Sequence, residues 1–240
     1  LRTVTGVQTC ALPIFAGAAG EARAQAADSK MFASVEFGAQ STQRTVTSST
    51  SFSVYDETAT VTTFQPVHNG PVFGGSVGYK LNPTFGVSAG VTMFTARTAD
   101  ATVAASIPDL LIYNRPKNVV ATATGLSHTQ LGIHIDAVWF HSLTSKLELA
   151  LAAGPSIINV NHDVATASVT TGTQNVTTGT RGESGSAFGF NAGGEANYRL
   201  SEKALFGIFA RYVMAKTDLD SVTDLKVGGV QAGLGLRLRF

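Results

Sequence analysis

No stretch of this chain contains the run of about 18 apolar residues that a transmembrane helix needs, so a helical membrane span is excluded. Charge is scarce. Asp, Glu, Lys and Arg make up 14% of the 240 residues, where a soluble domain carries roughly 25%. The balance is also even, at a net charge of +1, which argues against a nucleic-acid partner. Cysteine occurs once, at Cys10, too rarely for a disulfide framework. The length suits a single domain. What the chain does have is glycine, 25 residues of it, and many threonines, set among segments in which apolar and polar residues alternate.

The alternation is clearest over Val230–Phe240. Val230, Ala232, Leu234, Leu236, Leu238 and Phe240 share one parity, and Gln231, Gly233, Gly235, Arg237 and Arg239 share the other. A period of two is the mark of a β-strand. A face of uncharged apolar residues backed by a face with two arginines suits a strand that has lipid on one side and a polar lumen on the other.

Three short polar turns stand between alternating runs, at Leu81–Thr84, Ser142–Ser145 and Leu200–Lys203. Long polar stretches lie between them, at 45–69, 98–127 and 161–185, with a shorter one at 217–224. Short turns alternating with long loops predict an all-β fold, an eight-stranded antiparallel up-and-down transmembrane β-barrel with long extracellular loops. Its strands are predicted at about 31–44, 70–81, 84–97, 128–142, 146–160, 186–200, 203–217 and 224–240. The Thr-rich and Ser-rich stretches 45–63 and 164–180 predict twisted extracellular hairpins.

One parity of each strand carries no charge, as with Ala33, Val35 and Phe37, Leu131, Ile133 and Ile135, or Phe206, Ile208 and Ala210. A Lys or Arg on a lipid face at mid-bilayer would cost about 2–4 kcal/mol. Aromatic residues of that parity gather beside the short turns: Tyr79, Phe85, Trp139, Tyr198, Phe206 and Phe240. They form a predicted periplasmic aromatic girdle. A soluble barrel with its apolar face inward shows the same alternation, and only the girdle, the leader described below and the terminal Phe weigh against it.

The other parity holds a predicted lumenal charge network of Glu36, Lys80, Asp136, Glu148, Glu195, Arg199, Arg211, Arg237 and Arg239. Charges inside so narrow a barrel must pair or bear a large desolvation cost. Glu36 is expected against Arg237 or Arg239, and Glu148 against Arg199. The network is either a proton or ion path or a salt-bridged plug. A lumen filled by side chains leaves no water column, which favours the plug.

No catalytic, cofactor or metal site is predicted. His68, His128, His134, His141 and His162 make no zinc-binding spacing, and His128 and His134 stand about 20 Å apart along one strand. Ser127 beside His128 raises a lipid hydrolase reading, which no nucleophile-elbow pattern supports. Gly74–Gly78 lacks the strand-to-helix setting of a phosphate loop. Residues 103–120 are apolar for an external loop. Ser106 is expected to cap a short helical turn ended by Pro116, with Leu110, Leu111, Ile112 and Tyr113 covering the barrel mouth or meeting a ligand, of which covering is the simpler.

Val4–Ile14 resembles a translated sequencing adapter, so 1–14 is read as an artefact and Cys10 carries no argument. Residues 15–26 are read as the remnant of a signal peptide, with Ala24-Gln25-Ala26 as its cleavage site, and 27–240 as the barrel domain.

The strand plan, the leader and the Val230–Phe240 strand together resemble the outer-membrane β-barrel domain family, the small eight-stranded barrels of OmpA/OmpX type. The segment from Ser106-Ile107-Pro108 to Asn114-Arg115-Pro116, with Trp139 and Gly154-Pro155-Ser156, is similar to porin-like members. The resemblance implies a Gram-negative outer-membrane location and a structural or surface-interaction role. A narrow porin or hydrophobic-solute conduit is the alternative, and an outer-membrane lipid-modifying hydrolase a more distant one. It implies outer-membrane lipids and lipopolysaccharide as neighbours, no cofactor, and a monomer. It also implies an assembly signal at Leu234, Leu236, Leu238 and Phe240, read by the outer-membrane assembly machinery.

Overall fold

The computed structural model describes residues 30–42, 44–54, 56–97, 100–109, 111–170 and 175–240. The adapter-like segment, the leader and Leu110 lie outside the described residues. The described strands, in chain order, are β1 (Met31–Ser41), β2 (Arg44–Val54), β3 (Glu57–Val67), β4 (Gly70–Lys80), β5 (Phe85–Arg97) and β6 (Ala101–Ile107). They continue with β7 (Lys117–Ala123), β8 (Ser127–Ser142), β9 (Leu147–Thr170), β10 (Asn175–Arg199), β11 (Ala204–Thr217) and β12 (Leu225–Arg239).

Eight of these close an antiparallel barrel in the order β1-β12-β11-β10-β9-β8-β5-β4. The seam is β1, which pairs with β12 on one side and β4 on the other, placing Val35 opposite Leu236 and Phe37 opposite Leu234. The barrel is the one that the alternation predicts. Its outward residues are apolar and uncovered: Val35, Val77, Ile135 and Ile208 are each at least 60% exposed. A continuous apolar belt of this kind belongs against lipid, since water would penalise it.

β12 enters the barrel through a kink at Gly228 (φ 85°) and Gly229 (φ 147°). A Cβ on either would stand 2.3 Å from a carbonyl oxygen, of Val213 or of Ser41. The kink turns the Gly228 carbonyl inward, where Gln40 and Arg44 donate to it.

Beyond the barrel the chain forms a second, four-stranded sheet in the order β2-β3-β6-β7. The β2–β3 hairpin falls in the first Thr-rich stretch, as its composition predicts. β6 and β7 replace the helical turn expected after Ser106. β3 offers a free edge that pairs with β6 from Thr60↔Ser106 to Phe64↔Thr102, and a paired edge outweighs a one-turn helix with a single cap. Pro108 and Asp109 instead open the β6–β7 loop, where Asp109 Oδ1 accepts the Leu111 and Ile112 amides. Leu111 and Tyr113 are 89% and 80% exposed at its tip and cover nothing.

β9 and β10 run for 24 and 25 residues, where a crossing takes about 9–11, so half of this hairpin stands outside the membrane. The sheet packs on that extension through Val61, Val103, Ala105, Ile107, Leu126 and Ala165. A second apolar cluster joins Val46 and Val67 to Ile158, Val160, Val213 and Val227 across the barrel mouth.

Candidate functional site

The lumen is filled in layers, because every second residue of eight strands points into a space only wide enough for side chains. At the short-turn end Phe32 and Phe140 meet edge to face, 5.6 Å between ring centres. Lys80 Nζ lies 4.1 Å from the Phe140 ring centre and the Arg237 guanidinium 4.8 Å from that of Phe32, which places the cations on aromatic faces.

The ion pairs come next. Glu148 holds Arg239 at 2.5 Å, Lys80 at 3.5 Å and Arg237 at 3.8 Å. Arg237 also donates to Glu195 (2.5 Å) and to Ser34 Oγ (3.1 Å). Glu36 accepts from Arg211 at 3.2 Å. The pairings differ from those expected. Arg237 stands directly opposite Ser34, and Glu36 opposite Gly235. Arg237 bonds its direct neighbour and extends across the lumen to β9 and β10, which leaves Glu36 to Arg211. Arg199 does not join the network. It ends β10 one step beyond the Tyr198↔Leu147 pair and is exposed at the rim, bonding the Lys146 carbonyl through its amide.

Asp136 meets no cation within ion-pair distance among the described residues. It accepts from Asn191 Nδ2 at 2.7 Å. Asn191 also reaches Ser156 Oγ, which bonds His134 Nδ1, and His134 Nε2 bonds Thr92 Oγ1. Between Glu36, His134, Asp136, Glu195 and Arg211 lies a cavity of about 20 Å³, room for one water molecule.

Above it Gln231 donates to Gln40 at 2.7 Å and Gln40 to Gln130 at 3.3 Å. Gln130 meets His128, whose Nδ1 lies 3.0 Å from Nδ1 of His162. One imidazole must donate there and the other accept, so the two rings are not both doubly protonated. Phe94 and Phe209 flank this level, and the apolar cluster of the mouth closes the top. The glutamine and histidine layers went unread because they depend on register. His128 and His162 are direct partners across β8 and β9, which spacing along one strand cannot reveal.

The girdle residues stand together at the short-turn end, with Phe85 opposite Trp139 and Tyr198 opposite Phe206. Trp139 stacks on His141 at 5.4 Å. Farther up the wall Phe37 meets Phe73 at 5.0 Å and Phe188 meets Phe190 at 5.6 Å. These rings suggest an upper interfacial belt, which the sequence reading did not single out.

Outside the membrane, Ser127 Oγ donates to Asp163 Oδ2 at 2.6 Å, while the His128 ring points into the lumen. Neighbours along a strand face opposite ways, so this serine and histidine form no nucleophile–base pair. Arg181 pairs with Glu183, and Glu183 accepts from both Oγ and the amide of Ser221. Burial raises the Glu183 carboxyl, but the bonds from Ser221 and Arg181 outweigh it and hold the group below the ordinary carboxylate range. Among the described residues no group of three or more His, Cys, Asp or Glu is placed to hold a metal ion.

A closed eight-stranded barrel with an apolar outer belt and a filled polar interior is the architecture described by the family model "Outer membrane protein beta-barrel domain", which matches residues 10–237. The chain belongs to this family. It is a bacterial outer-membrane barrel. Among solved structures it is similar to OprG from Pseudomonas aeruginosa, with 13% identity, 88% of this chain and 96% of OprG covered, and a TM-score of 0.50. It is also similar to Neisserial surface protein A, at 13% identity, 88% and 97% covered, TM-score 0.45. The attachment invasion locus protein Ail of Yersinia pestis matches at 14% identity, 88% and 100% covered, TM-score 0.40. Among curated protein sequences none matches this chain. At these identities the likeness to OprG is one of fold.

Proposed function

We propose that the protein is a closed membrane scaffold that presents a folded cap at the cell surface, with a structural and surface-interaction role. The observation that carries this reading is the continuous filling of the lumen, from the Phe32–Phe140 floor through the ion pairs to the apolar cluster of Val46, Val67, Ile158 and Val160. A porin needs a water column through the barrel, and the cavity among the charges holds about 20 Å³. A lateral conduit would need a gap in the wall, and all eight strand pairs of the barrel are hydrogen-bonded. Among the described residues the hydrolase reading has no assembled nucleophile, since Ser127 bonds Asp163 and His128 bonds Gln130.

In this reading the wall meets outer-membrane lipids and lipopolysaccharide, and one copy suffices because the barrel closes on itself. Leu234, Leu236, Leu238 and Phe240 act as the strand signal for the assembly machinery. The decisive experiment is conductance of the refolded protein in planar bilayers. The expected trace does not differ from the bare membrane. Steady unitary conductance from the wild-type protein would overturn the scaffold reading in favour of a narrow porin.

A further inference from the structure

Three external segments converge on one side of the cap: the β2–β3 hairpin, the upper part of β9–β10, and the β11–β12 loop. They leave an open cleft of about 230 Å³. Beside it the space between sheet and hairpin is packed with Val103, Ile107 and Leu126, and Val61 and Ala165 belong to both this core and the cleft lining. Along the same face of β2 the side chains change character, from buried Val46 to Ser48, Thr50 and Phe52. With Thr63 of β3 and Thr166 of β9 these give hydroxyls and one aromatic ring, set beside the aliphatic side chains of Val61, Val164, Ala165 and Ala167.

Arg181 of β10 completes the lining. Its side chain is 55% exposed, and its guanidinium is anchored by Glu183 and by Ser221 Oγ, the latter at 2.6 Å. The anchoring fixes the fork in place and also neutralises it. What the cleft offers is therefore an oriented, charge-balanced donor set, several small hydroxyls and a ring of 36% exposure in Phe52.

We propose that this cleft binds a single neutral sugar unit at the end of a surface glycan. An apolar ligand would strip water from the hydroxyls without replacing their hydrogen bonds. A cation would find no free carboxylate in the lining, and a multiply charged anion would meet a guanidinium already paired. A pyranose matches all three features. Its hydroxyls pair with serine, threonine and the guanidinium fork, and its C–H face lies on the Phe52 ring. The volume is below the roughly 300–1,000 Å³ of a drug-sized site, so it takes one ring, and the open side lets the remaining glycan run into the medium.

The inference rests on the surface-interaction reading, but the two fail separately, since conductance tests the lumen and sugar binding tests the cleft. The protein is refolded in a zwitterionic detergent that carries no sugar. Saturation-transfer NMR is then run with the methyl glycosides of glucose, galactose, mannose and N-acetylglucosamine, and with methyl glucuronide as the acidic probe. At least one neutral glycoside is expected to receive saturation. Thr50→Val and Thr166→Val remove a hydroxyl while keeping shape, and each is expected to weaken its apparent Kd about fivefold or more. Phe52→Ala is expected to do the same. Heat-modifiable gel migration confirms that each variant is folded, and Thr129→Val on the barrel serves as the control. The proposal is overturned if no neutral glycoside is saturated, if the variants bind as the wild type does, or if the glucuronide binds more than about tenfold tighter than every neutral probe.

Discussion

Glu148 is the residue on which most lumenal charge converges. It is buried at 5% exposure and faces Lys80, Arg237 and Arg239. Arg237 keeps Glu195 if Glu148 is lost, but Arg239 and Lys80 have no second acid among the described residues within ion-pair distance. Glu148→Gln keeps the shape and removes the charge. Removing one partner of a buried pair costs about 3–5 kcal/mol, because the remaining charge stays desolvated. We expect that loss in urea unfolding of the protein in lipid vesicles. Glu36→Gln strands Arg211 alone and should cost less than Glu148→Gln. If Glu148→Gln unfolds with the wild-type midpoint, the lumenal ion pairs do not fix the barrel.

At the scale of elements the barrel and the cap were legible to different degrees. The barrel strands show clean alternation, since lipid forbids charge on one face and the lumen favours small or polar groups on the other. Parity alone therefore assigned Glu36, Lys80, Asp136, Glu148, Glu195, Arg211, Arg237 and Arg239 to the inside, and with them Arg199, which the structure leaves exposed at the rim. It could not say which acid meets which base, because that depends on register and on how far an arginine reaches across. In the cap both sheet faces are mild. β6 reads Ala-Thr-Val-Ala-Ala-Ser-Ile, where Ala104 blurs the pattern and only pairing with β3 makes it a strand. Val103 is fully buried there. Val103→Asp should bury an unpaired charge, release the β6–β7 hairpin and expose 98–127 to added protease, while the barrel keeps its folded gel migration. Uncut loops in that variant would show that the cap does not depend on this core.

The link between cap and β11–β12 loop is also pH-dependent. The Glu183 carboxyl titrates below its unfolded value. Its stabilisation is therefore complete above the unfolded carboxylate pKa of about 4.3 and is lost as pH falls through the lower folded value. Amide exchange at Ser221, corrected for intrinsic rate, should lose protection on acidification below about pH 4. Glu183→Gln should abolish that dependence and leave a uniformly weaker loop. A pH-dependent step of equal size in the variant would assign the effect to another group.

For the whole molecule, the energetics divide between a wall that only lipid can satisfy and an interior that satisfies itself. Insertion is the step that joins them, and β12 is where it is most exposed to failure. β12 must pair with β1 to close the seam, with Leu238 against Ala33 and Leu236 against Val35. Phe240 bonds Met31 through both its amide and its carbonyl and leaves its ring 64% exposed on the lipid side. Phe240→Ala keeps the backbone bonds and removes the ring. Leu143, at the β8–β9 turn, belongs to no strand and is 52% exposed. Leu143→Ala thus removes a comparable area of exposed apolar surface away from the seam. If the last strand is read during assembly, Phe240→Ala should lower the folded fraction in cells well below that of Leu143→Ala, while both refold equally in detergent, where no machinery acts. Equal insertion of the two variants in cells would remove the terminal signal. A shared defect in detergent would instead make Phe240 a determinant of barrel closure.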